Sequence, residues 1–167
     1  MTFRKFLGDE IGLVRFKGNF NLDGLLKMMY KFLKTKGYNF YEPKHKAKIP
    51  ELEIKWIGER KVTPYYKYVI EINIHFYDLT EVDAQDENGN AIKMSNGRFV
   101  MSIDGGIDAG YTTEWGEKKS HFRALLKKFY EALTMREFMA KHAQTLILEA
   151  TELRTRINSY LGMVATE

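Results

Sequence analysis

Glu71, Asn73 and His75 occupy alternate positions of an apolar stretch, which sets a carboxylate, an amide and an imidazole about 6.6 Å apart along one face of an extended chain. Such groups exchange protons and orient a substrate, so the row is a candidate catalytic face. It is also what the wet face of an ordinary strand carries. No GxSxG occurs to supply a nucleophile, and the chain has no cysteine, which excludes disulfides, thiolate chemistry and Cys-based zinc sites. His45, His75, His121 and His142 fall in no HxH or HExxH spacing. The residue four before His142, where a helical zinc pair needs its second ligand, is Phe138. The run Asp86-Glu87-Asn88-Gly89-Asn90 would place Ala84 and Ser95 at the first and twelfth positions of a calcium loop, so two key ligands are missing. Gly105-Gly106 with Gly110 lacks the GxGxxG spacing and reads as a bend that breaks the chain after Asp104. The sequence therefore predicts no metal and no cofactor, and places an enzyme behind a binding protein.

Binding chemistry is better represented. Residues 36–48 interleave Tyr38, Phe40 and Tyr41 with Lys44, His45, Lys46 and Lys48. Lysines neutralise phosphates and aromatic rings stack bases, so this stretch is a candidate polyanion surface, with RNA or a ribonucleoprotein preferred over a membrane. Lys27, Lys31 and Lys34, on one side of a preceding helix, would extend it. The competing reading is a lysine-rich sheet edge that discourages aggregation. Charge is unevenly distributed: residues 1–70 hold 15 Lys/Arg against 7 Asp/Glu, residues 71–117 hold 2 against 10, and residues 118–167 hold 9 against 5. Either the basic half faces a partner or the acidic middle segment neutralises it.

These residues must be carried by identifiable elements. Residues 11–20 alternate loosely and read as a first strand. Asn21 caps a helix with Asp23 in its first turn and Gly37 past its end, and Leu22, Leu25, Leu26, Met29, Phe32 and Leu33 share one face. Pro43 and Pro50 exclude helix from residues 37–51, leaving a loop or ragged edge strand. Leu52, Ile54 and Trp56 alternate with charged residues. Tyr66, Tyr68, Ile70, Ile72, Ile74 and Phe76 extend period two through the clearest strand, the mark of an antiparallel sheet with one buried face. Asn88-Gly89 marks a hairpin, residues 92–94 and 98–104 are strands on either side of Asn96-Gly97, and residues 111–115 a last one.

Residues 117–161 contain neither Gly nor Pro, and Phe122, Leu125, Phe129, Ala132, Arg136, Met139, Ala143, Leu146, Ala150, Leu153, Ile157 and Tyr160 recur at steps of three and four. The expected fold is α+β: a curved antiparallel sheet covered by an N-terminal amphipathic helix and a long C-terminal helix. This element order resembles helix-grip folds, which implies a cup able to enclose an apolar ligand against Phe122, Leu125, Leu126 and Phe129. The expected organisation is a sheet domain over residues 1–134, including the first half of the helix, and a helical extension over 135–167. Its seam residues Met139, Leu146, Leu153, Ile157 and Tyr160 would meet a second copy or a protein partner. Residues 1–20 do not read as a secretory signal, no transmembrane segment is present, and the absence of Cys fits a cytoplasmic setting. The predicted function is a non-enzymatic binding or adaptor protein. A helix-grip carrier of an apolar small molecule or lipid is the second reading, and an enzyme using the Glu71, Asn73 and His75 face the third.

Overall fold

One long alternating segment sets the architecture. The computed structural model describes residues 3–7, 12–64, 66–109 and 121–162. Its elements are β1 (Phe3–Leu7), β2 (Leu13–Phe20), α1 (Leu22–Thr35), β3 (Asn39–Lys48), β4 (Glu51–Lys61), β5 (Tyr66–Gln85), β6 (Ala91–Ala109) and α2 (His121–Tyr160). The strands form one curved antiparallel sheet in the order β1-β6-β5-β4-β3, and β2 follows β1 along the same edge of β6. The expected α+β fold is the one observed. The expected strand over residues 111–115 lies outside the described residues.

The period-two pattern of β5 does what it predicts. Tyr66, Tyr68, Ile70, Ile72, Ile74 and Phe76 are all buried on one face. Ile54 and Trp56 of β4, Phe99, Met101, Ile103 and Ile107 of β6, and Val14 and Phe20 of β2 join them. Phe20 lies 5.3 Å from Phe99 and 5.9 Å from Phe76, so aromatic rings fill the end of the sheet beneath α1.

Two expectations about β6 are corrected. It neither divides at Asn96-Gly97 nor stops at Asp104; it is continuous over 19 residues. At Gly97 the partner strand bulges, its register moving from Tyr77↔Arg98 to Thr80↔Asn96, with Asp78 at φ 55°. A β-carbon on Gly97 would lie 2.8 Å from the Tyr77 carbonyl oxygen, so glycine is what lets the bulge close against β6. Gly105 sits inside the strand because α2 crosses there: a β-carbon would lie 3.1 Å from Cγ and Cδ2 of Leu146. The glycines mark close approach rather than a chain break.

The Asn21 side chain accepts from Gly24 N at 2.9 Å and starts α1 as expected. Gly37, at φ 81°, ends it: its N–H donates to the Lys34 carbonyl and that of Tyr38 to the Leu33 carbonyl, the paired bonds of a Schellman cap. Leu25, Met29, Phe32 and Leu33 are buried, so the apolar face of α1 belongs to the core. Residues 37–51 resolve into β3, an edge strand exposed along most of its length.

The packing of α2 is the reverse of the sequence expectation. The helix passes residue 134 without interruption, about 60 Å long at 1.5 Å per residue. Its second half covers the sheet: Leu146, Leu153 and Ile157 are 0% exposed and Ala150 is 1% exposed. Among the described side chains of its first half, Phe122, Leu125, Leu126 and Phe129 are 68%, 67%, 43% and 63% exposed. A Leu153→Ala change should therefore cost about 2–5 kcal/mol of stability, whereas Phe122→Ala should stay within about 0.5 kcal/mol. Urea unfolding of the two variants would measure both, and equal losses would refute the assignment.

Candidate functional site

The strongest polar constellation joins three distant parts of the sequence. The Schellman cap turns Tyr38 inward beneath α2, where its hydroxyl donates to Glu149 Oε2 at 2.6 Å. Arg60, near the end of β4, donates to Glu149 Oε1 at 2.8 Å and to the Lys36 carbonyl at 2.6 Å. Its guanidinium lies 4.8 Å from the Tyr38 ring centroid and 5.0 Å from that of Tyr68. Burial, then the hydrogen bond to Glu149, holds the Tyr38 proton far above the ordinary phenol range. Glu149 is thus a buried carboxylate with both oxygens engaged, and the group fastens α2 to the sheet. Lys36 adds a bond to Glu152 at 2.6 Å one turn further along.

Two turns in the other direction, the Tyr68 hydroxyl bonds His142 Nδ1. The imidazole tautomer sets which of the two groups donates in this bond. Burial, and then the neighbouring Lys141, push the His142 pKa down; burial raises that of Tyr68. Sequence spacing did not reveal this group, because Tyr38, Arg60 and Glu149 lie far apart in the chain. One signal was present: Glu149 stands three residues after Leu146 and four before Leu153, a carboxylate at core spacing.

Glu71, Asn73 and His75 do share the outer face of the sheet, as their alternation requires. Glu71 and Asn73 have hydrogen-bond or ion-pair partners there, whereas the buried Nε2 of His75 has no hydrogen bond. Glu71 pairs with Lys55 at 2.6 Å and accepts from Asn73 Nδ2 at 3.2 Å. His75 Nε2 lies 3.5 Å from a Glu51 oxygen and 3.9 Å from one of Glu53, and its ring stacks on Tyr77 at 4.0 Å. Lys67 reaches Glu59 at 3.0 Å and Asp108 at 3.4 Å. The Lys55–Glu71, Lys67–Glu59 and Lys67–Asp108 contacts are cross-strand ion pairs, and Asn73 and His75 line a shallow concavity with Ser102 beside them. Among the described residues no three His, Cys, Asp or Glu side chains gather to hold a metal.

The seven polyanion candidates separate. Lys44 and Lys46 stand opposite Lys55 and Glu53 on the outer face, whereas His45 stands opposite buried Ile54 and so belongs to the inner face. Lys27, Lys31 and Lys34 are on α1, which covers that inner face. Lys27 pairs with Asp23, Lys44 with Glu53, and His45 with Glu42 at 2.9 Å. Lys34 lies 5.6 Å from the Phe40 ring centroid and 5.9 Å from that of Tyr30. Lys31, Lys46 and Lys48 are exposed, the last opposite Glu51. Of the aromatics, Tyr38 is buried and Phe40 packs 5.1 Å from Trp56, whose Nε1 donates to Glu42 at 2.7 Å. Tyr41 is the exposed ring of the three.

Of the five seam residues expected to meet a partner, Leu146, Leu153 and Ile157 lie in the chain's own core. Tyr160 is half-exposed, with its hydroxyl against Gly24 of α1, where a β-carbon would not fit. The Met139 side chain lies outside the described residues. The four residues expected to line a ligand cup are instead exposed on the first half of α2. No protein-family model, no curated protein and no solved structure matches this chain.

The burial of His142 gives a pH signature. Below about pH 6.5 the unfolded chain takes up a proton that folded His142 resists, so stability falls as pH drops through that range. Carboxylates held low by their partners, such as Glu152 beside Lys36, release their contribution only further down. His142→Gln should flatten the decline of the urea midpoint between about pH 6.5 and 5 and leave the steeper loss below about pH 4.5. An unchanged profile above pH 5 would assign the slope elsewhere.

Proposed function

We propose that this chain is a non-enzymatic binding protein whose working face is the first half of α2, presented to a partner by a scaffold that grips the second half. The observation that carries this reading is the exposure of Phe122, Leu125, Leu126 and Phe129 at i, i+3, i+4 and i+7 of one helix. Four large apolar side chains in one stripe are what helix-mediated docking uses. Holding them in water has no advantage for the fold, since the sheet is covered by other residues of the same helix.

The basic N-terminal half adds a smaller electrostatic contribution through exposed Lys31, Lys46 and Lys48, the last two with Glu53 and Glu51 as cross-strand neighbours. A cytoplasmic setting belongs to the same proposal, on the absence of cysteine. Among the described residues, no helix is long and apolar enough to cross a membrane.

Two measurements test the working face. The folded protein should enhance the fluorescence of anilinonaphthalenesulfonate, and a Phe122→Ser, Phe129→Ser variant should lose most of that signal without a shift in its unfolding midpoint. Sedimentation equilibrium of both proteins would show whether the same stripe drives self-association. A native chain that binds no dye would leave the proposal without a surface.

A further inference from the structure

Building on the reading of the first half of α2 as the working face, we infer that its occupant is an anionic lipid surface. The stripe supplies one requirement. At 100° per residue, Phe122, Leu125, Leu126 and Phe129 fall within about 100° of arc, so all four can enter an apolar layer together. Charge supplies the other. Residues 121–141 carry Arg123, Lys127, Lys128, Arg136 and Lys141 against Glu131 and Glu137. Lys128 and Lys141 are exposed, and neither has an acidic partner among the described residues.

This combination separates the three classes of occupant. A second copy would bring two helices of the same net positive charge together. A nucleic acid would use the cations and leave Phe122, Leu125, Leu126 and Phe129 in water. An anionic bilayer accepts both, with apolar side chains entering the acyl boundary and Lys/Arg remaining among the headgroups. Helix is also the state an interfacial segment needs. Because α2 is continuous with an anchored second half, its first half is already ordered before contact, and the ordering cost of binding is reduced.

The full chain should float with vesicles of about 30% phosphatidylserine in phosphatidylcholine and bind vesicles of phosphatidylcholine alone at least tenfold more weakly. The Phe122→Ser, Phe129→Ser variant should lose at least about tenfold in binding to the anionic vesicles. A Lys127→Glu, Lys128→Glu variant should lose the preference for phosphatidylserine, and it keeps the test available if the first variant unfolds. Equal binding to both vesicle types, or binding to polyuridylate that the serine variant retains, would overturn the inference. A concentration-dependent dimer with no vesicle binding would overturn the lipid assignment and leave the working face standing. No vesicle binding, no self-association and no dye binding would remove both.

Discussion

The buried carboxylate of Glu149 is the constraint on which the arrangement of this molecule turns. Taken out of water, it must have donors on both oxygens, and the chain provides a phenol and a guanidinium from elements that have no other reason to meet it. Each donor depends on its own local structure. Tyr38 points inward because Gly37 permits the left-handed turn that ends α1, and Arg60 reaches across because β4 keeps its pairing with β5 to that point. The triad therefore fixes the position of α2 along the sheet as well as its contact with it. Leu146, Ala150, Leu153 and Ile157 supply the apolar burial, but a stripe of aliphatic side chains tolerates sliding. A carboxylate with two named donors does not.

Position along the sheet decides what is left over. Where α2 meets β6 and α1, its described buried side chains run from Leu146 to Ile157, whereas the helix begins at His121 and so extends well before that contact. Placing Glu149 at Tyr38 and Arg60 makes the first half the part that continues. Its exposed phenylalanines and leucines are a geometric consequence of that anchor.

The outer face of the sheet obeys a different rule. Its charged residues alternate with the core side chains and meet opposite charges on neighbouring strands, as in Lys55 with Glu71 and Lys67 with Asp108. Much of the apparent division between a basic first segment and an acidic middle one is thereby cancelled, because antiparallel pairing lays β4 beside β5 and β5 beside β6. The row of Glu71, Asn73 and His75 belongs to this lattice, and Asn73 and His75 line a shallow concavity of about 390 Å³ with Lys44, Lys55 and Ser102.

Local rules were sufficient for much of this protein. The alternation in β4 and β5 determined which side chains are buried, Asn21 and Gly37 determined the ends of α1, and Asn88-Gly89 the tip of the long hairpin, because each depends on a few neighbouring residues. The glycines of β6 were harder to read, since Gly105 exists for a contact with Leu146, 41 positions away in the sequence. The seam of α2 marks the limit of sequence reasoning most clearly. A three-and-four repeat identifies which side of a helix is apolar, and it does so equally well for Phe122 and for Leu153. Whether that side meets the chain's own sheet or the surroundings depends on where the helix is pinned along the sheet. Tyr38, Arg60 and Glu149 do the pinning, and they come together only in the folded chain.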